Sequence, residues 1–334
     1  MNTTSQPQSM PRDESEFGAL IAPHRRVLLT HCYRMLGSWT EAEDALQDAL
    51  VRAWQAHPRF EGRAAIRTWL YRIATNACLT LLEKRPRRSI PEFMAPAVRD
   101  DAAMARALEE AHWIEPYPDA TFEMPDVEAV VNQRESVALA FVIALQHLPP
   151  RQRAVLLLRD VVGYDAAEVA DMIKASLAAV NSALSRARAT LAAARQPNWL
   201  SGPAVLDAGQ EALLKRYVEA WQARDVDSLV ALLAEEASFS MPPVAAWFQG
   251  HAAIAGVLRG RVFAEERRFR LHPMVASGQP AFAVYKAERN ATSFSSHGIQ
   301  LVSLGPDSIQ RVITFLKPRL VTAFGLPANA DSLG

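Results

Sequence analysis

The periodicity of apolar residues changes once along this chain, at the segment QPNWLSGP around residue 200. Before that segment, apolar residues recur three and four positions apart, which is the spacing of helices packed on a core. After it, strand-like stretches separated by glycine and proline turns appear for the first time. The 334 residues are enough for more than one core. We therefore predict a multidomain protein in which all-helical domains precede an α+β domain.

The formal net charge of zero conceals four blocks of different charge. Residues 24–88 hold 12 Lys and Arg against 6 Asp and Glu, whereas residues 89–135 hold 3 against 11. Residues 151–196 are basic again, with 7 against 4, and the remainder from residue 197 is close to neutral. Such segregation of charge is more informative than its total, and it predicts a modular chain.

Several classes of protein are excluded by the bulk properties. Half of the residues are hydrophobic, which excludes a disordered protein, and no run approaches the roughly 18 consecutive apolar residues of a membrane helix. The N-terminus lacks the basic-then-apolar layout of a signal peptide, so we expect a cytoplasmic protein that does not engage a membrane. Cys32 and Cys78 lie in apolar helical stretches without the close Cys/His spacings of a zinc site. We expect buried free thiols, no metal and no cofactor.

The segment WLYRIATNACLTLLEKRPRR combines an apolar helical stripe with a basic remainder. Trp69 falls in the stripe, so we place it in the core. Arg67, Arg72 and Asn76 lie on the flanks or the opposite face, and the basic character continues past a helix break expected at Pro86. Such a face suits a polyanion, although taken alone it also fits an ordinary solvated helix surface.

The preceding segment, SWTEAEDALQDALVRAW, predicts an amphipathic helix with an N-cap at Ser38 or Thr40. Its polar side carries four residues at helical spacing: Asp44, Gln47, Asp48 and Arg52.

Residues 136–196 return to helical periodicity after the acidic block. Asp165 and Glu168 have the spacing of a capping box, which predicts a short helix to about Ile173, a tight turn at residues 174–176 and a second helix beyond it. This arrangement predicts a helix-turn-helix, and an ordinary helical hairpin is the alternative that the pattern leaves open.

The acidic block at residues 89–135 has scattered prolines and weak periodicity, which indicates an extended linker with a short helix around residues 101–112. Within it, Trp113, Ile114 and Tyr117 need an apolar surface to cover them. We therefore expect this part of the linker to dock on a domain.

The last part of the chain predicts two amphipathic helices, a strand, a further helix and then antiparallel strands. Turns are expected at residues 278–280 and 305–307, where glycine and proline cluster.

In their order, the segments AEDALQDALVRAW, FEGRAAIRTWLYRIATNACL and LPPRQRAVLLLRDVVGYDAAEVADMIKASLAAVNSALSRARATL resemble a sigma-70 family factor of the extracytoplasmic-function group. The resemblance implies sigma region 2 at residues 18–88, the acidic linker at 89–135, the sigma region 4 helix-turn-helix at 136–196 and a SnoaL-like domain with the NTF2-like cone fold at 205–325. The segment WIEPYPD resembles the branch that carries such a C-terminal extension.

The family function implied by this resemblance is binding to core RNA polymerase, promoter recognition and transcription initiation. The factor would be a monomer outside the holoenzyme, and its acidic linker would thread through polymerase channels that otherwise hold nucleic acid. We also expect the C-terminal domain to regulate the sigma domains of the same chain.

Three groups of residues receive roles from the resemblance. Facing the polymerase would be Asp44, Gln47, Asp48 and Arg52. A second group would face the −10 element, where Asn76 would capture an unstacked base and the arginines would neutralise phosphates. This group consists of Arg63, Arg67, Arg72, Asn76, Arg85, Arg87 and Arg88. Facing the −35 element in the major groove would be Ser176, Asn181, Ser182 and Arg186.

Two positions of the second helix depart from these simple roles. Many members carry lysine or arginine where this chain has Asn181, so phosphate contacts there are expected to be modest. Arg188 falls closer to the apolar stripe, where it forms an internal pair or reaches a phosphate.

The C-terminal domain offers a possible ligand pocket, for which the predicted strands supply Met241, Trp247, Tyr285 and His297. Acids are scarce in these strands, with Glu288 at a strand end and Asp307 in a turn, so no general-base constellation is apparent. We therefore predict a regulatory or ligand-sensing domain with no catalytic residue. The alternative is a small-molecule enzyme, of an isomerase, cyclase or hydrolase type, with a DNA-binding regulatory part.

Overall fold

The computed structural model describes residues 14–60, 65–98, 113–119, 138–193 and 206–333. They divide into two compact units. The first unit takes the chain up to Pro86 and residues 144–195, and the second takes residues 87–143 and everything from Gln196 onward. No helix in the described ranges is both long and apolar enough to cross a bilayer.

Three helices open the first unit: α1 at Glu14–Leu36, α2 at Trp39–Ala56 and α3 at Ile66–Leu82. The hydroxyl of Ser38 accepts a hydrogen bond from the backbone N of Glu41 at 3.2 Å, which confirms the predicted N-cap of α2. The core of this bundle contains Trp69, as predicted, together with Cys32 and Cys78, which are buried free thiols. Local capping therefore fixes where α2 begins, and the apolar stripe fixes which side of α3 is buried.

The same unit continues with α4 at Leu139–Gln146, in which the boundary between the units falls, and α5 at Pro150–Leu156, which ends in a π-helical turn. Next come α6 at Ala166–Met172 and α7 at Leu177–Ala193. Asp165 and Glu168 exchange hydrogen bonds of 2.8 and 2.9 Å with each other's backbone N–H groups, so the predicted capping box is present. Lys174, at φ 52°, lies in the turn between α6 and α7.

A buried arginine connects the two parts of this unit. The guanidinium of Arg153 is 3% exposed and donates to the backbone carbonyls of Met35 and Leu148 and to the side-chain oxygen of Gln146. A buried charge costs free energy unless its donors find acceptors, and these acceptors bind the two terminal nitrogens of the guanidinium. The contact ties the end of α1 to the start of α5.

The second unit contains a six-stranded sheet with helices against it. Its helices are α8 at Ala208–Ala223, α9 at Val226–Ala231, α10 at His251–Val257 and α11 at Pro318–Ala323. Its strands are β1 at Leu233–Ser240, β2 at Trp247–Gln249, β3 at Arg268–Ala276, β4 at Gln279–Ala287, β5 at Ser295–Leu304 and β6 at Ile309–Phe315. The strand order is β2-β1-β6-β5-β4-β3, and among these neighbours only β1 and β6 run parallel.

One of the two predicted turns is displaced. The β3–β4 hairpin turns at Ser277 and Gly278, whose φ angles are 53° and 72°, and Pro280 already lies within β4. Two consecutive residues at positive φ form the tight turn that suits the twist of a hairpin, so the proline is not needed there. The predicted turn at residues 305–307 is confirmed, because β5 ends at Leu304 and β6 begins at Ile309.

Part of the acidic linker belongs to the second unit. Ile90, Trp113, Ile114 and Tyr117 are all buried. The backbone of Tyr117 pairs with Ser277, with its carbonyl accepting from the backbone N of Ser277 at 2.8 Å and its N–H donating to the Ser277 hydroxyl at 2.9 Å. The expected docking of this segment is therefore present, and the surface that receives it is the C-terminal domain. The helix expected around residues 101–112 lies outside the described residues.

Candidate functional site

The predicted polymerase-facing residues lie together on the solvent side of α2. Asp44, Gln47, Asp48 and Arg52 are all exposed, and none is needed by the core. Arg52 pairs with Asp48 one turn earlier, at 2.7 Å. An exposed pair of this kind contributes at most about 1 kcal/mol, so both side chains are available to a partner at little cost.

Three of the predicted DNA-facing residues on α3 are engaged by the later helices of the same unit. Asn76 donates its side-chain Nδ2 to the backbone carbonyl of Met172 at 3.2 Å, and Arg72 lies 3.8 Å from a carboxylate oxygen of Asp171. The guanidinium of Arg67 lies 5.7 Å from the ring centre of Tyr164, within the range of a cation–π contact. In this arrangement the predicted −10 face meets the helix-turn-helix.

The basic tail after α3 separates into different environments. Arg85 is exposed and pairs with Glu41 at 2.6 Å, and Arg87 is also exposed. Arg88 is buried in the second unit and donates to the backbone carbonyl of Trp113, so here it holds the docked linker and does not form part of an exposed basic face. Arg63 lies outside the described residues.

The predicted −35 residues lie on and beside the outer side of α7. Asn181, Ser182 and Arg186 are exposed, and Ser176 accepts from the backbone N of Ala179 at 3.2 Å, so its hydroxyl caps the helix. Of the two expectations for Arg188, the internal pair is present, because its guanidinium donates to both carboxylate oxygens of Asp160 at 2.7 and 2.9 Å. The exposed face is therefore polar, with Arg186 as its cation.

A cavity of about 200 Å³ opens within the second unit, between the inner face of the sheet and α8. Met241 and His297, two of the four residues predicted for a ligand pocket, line it. Trp247 and Tyr285 do not line this cavity. Tyr285 lies on the opposite face of β4 from the cavity residue Val284 and donates its hydroxyl to the carbonyl of Pro327 at 2.9 Å, while the Trp247 indole N–H donates to the carbonyl of Ala95 in the linker at 2.7 Å.

Sequence reasoning missed the cations among the described residues of this cavity, Arg261, Arg267 and Lys286. A signal for one of them existed, because Lys286 has the same parity on β4 as the core residues Phe282 and Val284. A lysine at an inward-facing strand position is uncommon and marks a site rather than a core.

Three sequence families match successive parts of the chain. Residues 20–88 match Sigma-70 region 2, residues 139–191 match Sigma-70, region 4, and residues 214–310 match the SnoaL-like domain.

A curated relative covers nearly the whole chain. The ECF RNA polymerase sigma factor SigG of Mycobacterium tuberculosis is 45% identical over 329 residues, which are 97% of this chain and 87% of SigG. The chain belongs to the extracytoplasmic-function group of RNA polymerase sigma factors. The RNA polymerase sigma-H factor of Pseudomonas aeruginosa is 30% identical over 185 residues, which are 55% of this sigma factor and 89% of that one.

A solved structure shares the fold. The crystal structure of the Mycobacterium tuberculosis extracytoplasmic function sigma factor SigJ aligns with a TM-score of 0.54 at 22% identity, covering 95% of this sigma factor and all of that chain. The predicted fold class, two helical sigma domains followed by an α+β SnoaL-like domain, is confirmed.

The chemistry of the cavity in this sigma factor differs from that of a carboxylate enzyme. Among the described residues that line it, no Asp or Glu is present. Burial, together with the charges of Lys286 and Arg267, lowers the pKa of His297 to about 4. The imidazole is therefore neutral at physiological pH and a weak base.

Proposed function

We propose that the exposed side of α2 binds core RNA polymerase, that α3 binds the −10 element and that α7 reads the −35 element. The residue types support these roles, because carboxylates on α2 suit a basic partner, while arginines and asparagine on α3 suit phosphates and a base edge. The acceptor and donor groups of Asn181 and Ser182, next to Arg186, suit base edges in the major groove. This activity would take place in the cytoplasm.

The C-terminal domain, in our proposal, regulates the sigma factor by binding the linker. The observation that carries this is the backbone pairing of the linker with the hairpin turn between β3 and β4, through Tyr117 and Ser277 and through a 2.7 Å bond from the Gly278 N–H to the Asp119 carboxylate. A linker held along this surface is not free to thread through the polymerase. The domain and the polymerase would therefore compete for the same segment.

Side chains on the other arm of the linker add to this docking. Glu92 is buried, accepts from the Ser240 hydroxyl at 3.0 Å and lies 3.4 Å from a guanidinium nitrogen of Arg311. The N–H of Val98 donates to the carbonyl of Trp247 at 2.8 Å. Burial raises the pKa of Glu92 and lowers that of Arg311 to about 10, so both charges have been moved out of water to make this contact.

The contact between Asn76 and Met172 supports a second element of the proposal. A DNA-binding face that meets region 4 is closed to promoter DNA, so initiation would require regions 2 and 4 to separate. Core polymerase, by binding each region at its own surface, would supply the free energy for that separation.

Hydrogen exchange on the full chain, free and bound to core polymerase, tests the linker proposal. In the free protein we expect slow exchange at the amides of Val98, Tyr117, Ser277 and Gly278, because each has an acceptor within the second unit. In the holoenzyme we expect these four amides to exchange faster, while amides of the central strand β5 keep their protection. Full protection of the four amides in a transcribing holoenzyme would contradict competition for the linker.

We do not assign a reaction to the C-terminal domain. The absence of a carboxylate among the described cavity residues, and the low basicity of His297, favour binding over catalysis.

A further inference from the structure

The cavity of the C-terminal domain has an aromatic wall. Trp221 on α8 lies with its ring centre 6.4 Å from that of Phe239 and 6.2 Å from that of Phe269. All three side chains line the cavity. Rings at these separations contact one another, so they form a continuous aromatic wall on which a planar ligand ring can stack or pack edge-to-face.

Two hydrogen-bond donors belong to residues that line the same cavity. Trp221 is buried, and its indole N–H has no acceptor among the described residues. Thr314 ends a buried chain of hydrogen bonds in which the Tyr217 hydroxyl donates to Gln300 at 2.8 Å and the Gln300 amide donates to the Thr314 hydroxyl at 2.9 Å. Because the Thr314 oxygen accepts in this chain, its own hydrogen is left to be donated.

Cations complete the lining. Lys286, Arg267 and Arg261 line the cavity. Glu288 contacts the first two, with 2.8 Å from its carboxylate to Lys286 and 3.8 Å to Arg267, and its side chain is more than half exposed. His297 is neutral at physiological pH, so it does not add a charge. The described residues of the lining supply donors and cations but no acidic group, and a site of this kind selects an acceptor that carries negative charge.

The volume limits the size of the ligand. An apolar cavity of about 150 Å³ is enough to hold benzene. The 200 Å³ available here therefore fits one six-membered ring with a small substituent. A steroid or another fused-ring molecule would not fit without rearrangement of the walls.

We propose that this cavity binds a monocyclic aromatic carboxylate of the size of benzoate or phenylacetate, with its ring among Trp221, Phe239 and Phe269 and its carboxylate toward Lys286, Arg267 and Thr314. The proposal deepens the regulatory function proposed above, and it rests on that function only for the consequence of binding. Binding itself depends on the cavity alone.

Calorimetric titration of the full chain with benzoate and phenylacetate tests the proposal. The matched ligand is benzamide, which keeps the ring and the shape but lacks the charge, and acetate lacks the ring. We expect saturable binding of an aromatic carboxylate, with binding at least about tenfold weaker for benzamide and for acetate.

Substitutions locate the binding site. Lys286→Met should weaken benzoate binding by about tenfold, and the nearly isosteric Thr314→Val by a smaller factor, whereas Lys215→Met on the exposed side of α8 should leave it unchanged. Equal binding of benzoate and benzamide, equal loss from Lys215→Met, or no saturable binding up to millimolar concentration by the folded protein would each overturn the proposal. The hydrogen-exchange experiment is independent, so linker release without carboxylate binding would reject this ligand class and leave the regulatory function standing.

Discussion

Asn76 donates its side-chain amide to the backbone carbonyl of Met172 at 3.2 Å, and the same nitrogen donates to the carbonyl of Arg72 at 2.7 Å. The residue proposed to capture a promoter base is thus occupied by the end of the first helix of the helix-turn-helix. The acceptor in region 4 is a backbone group, which side-chain substitutions at residue 172 would not remove. The closed arrangement of regions 2 and 4 therefore depends on the position of α6, and substitutions at residues next to Met172 can test this arrangement.

Asp171→Arg should favour separation of regions 2 and 4, because it replaces an attraction to Arg72 with a repulsion. The pair is exposed, so we expect a change of about 1 kcal/mol, or about fivefold in the ratio of open to closed forms. Spin labels on cysteines introduced at the exposed residues Val51 and Leu177 would report the distance distribution, since Cys32 and Cys78 are buried. The control is Asp227→Arg, which breaks an exposed pair with Arg259 in the other unit. Identical distributions for both variants and the parent would argue against the pair as a contributor.

Asn76→Ala should reduce open-complex formation more than initial promoter binding. The loss of one base contact is worth about 1–3 kcal/mol, and the loss of the Met172 contact should partly offset it by loosening the closed form. Run-off transcription on duplex and pre-melted promoters measures this, with Thr80→Ala on an exposed position of the same helix as the control. A pre-melted promoter that restores no activity, with duplex binding reduced equally, would show that Asn76 is structural.

Reversal of charge at both Asp44 and Asp48 should weaken association with core polymerase without unfolding the protein. Both side chains are exposed, and surface changes of this kind usually alter stability by less than about 0.5 kcal/mol. A pull-down with core polymerase measures the effect against the double reversal of Glu211 and Glu219, which are exposed on α8. Equal retention of polymerase by the two double variants would exclude this side of α2 as the contact.

His31 should make the first unit sensitive to acid. Burial and the neighbouring Arg34 lower the pKa of His31 to about 3, and its Nε2 lies 2.9 Å from the Thr75 hydroxyl. The unfolded chain binds this proton near pH 6.5 but the folded chain does not, so the free energy of unfolding should fall by up to about 1.4 kcal/mol per pH unit as the pH drops from 6.5 toward 3. Urea unfolding of the parent and of His31→Gln at about pH 7.5, 6.5 and 5.5 isolates the contribution of His31 to the pH dependence of the free energy of unfolding. Parallel pH profiles for the two proteins would refute it.

Deletion of residues 200–334 should expose the apolar linker residues that the C-terminal domain covers. Ile90, Ile114 and Tyr117 would lose their cover, so the truncated chain should bind the dye ANS and self-associate more than the full chain. Replacement of Ile90, Trp113, Ile114 and Tyr117 by serine in the truncated chain should reverse both effects. Dye binding and light scattering measure this, and a truncated chain that behaves like the full-length protein would contradict docking as a protective contact.

The features that sequence alone predicted are those with local causes. Ser38 and Asp165 cap helices through residues three positions away, so their spacing is sufficient to identify them. The apolar character of the linker residues predicted that a surface would cover them. It did not predict which surface, because Tyr117 and its partner Ser277 are 160 positions apart. The contacts of Arg88 and Trp247 were not predicted for the same reason: each side chain reaches a backbone carbonyl that only the tertiary fold brings near.

The candidate cavity shows the same division. His297 and Met241 were identified by residue type, while Lys286 and Arg267 were passed over because cations on the surface are ordinary. Strand parity would have placed Lys286 inward, and it also places Tyr285 outward. The contact of α3 with the helix-turn-helix could not be predicted, since Asn76 and Met172 are joined by a backbone carbonyl that carries no residue-type signal.

The linker and the surface that receives it are far apart in the sequence, so they are synthesised at different times. Synthesis proceeds from the N-terminus at about 5–20 residues per second, so Tyr117 leaves the ribosome roughly 10–30 s before Ser277, its partner 160 positions later. In about the second half of that interval residue 196 has also left the ribosome, so both sigma domains are complete while the apolar linker residues still have no surface to cover them. A nascent chain of this protein therefore passes through a stage in which it has both sigma domains but not its C-terminal domain, and a chaperone or the polymerase itself can reach the linker first.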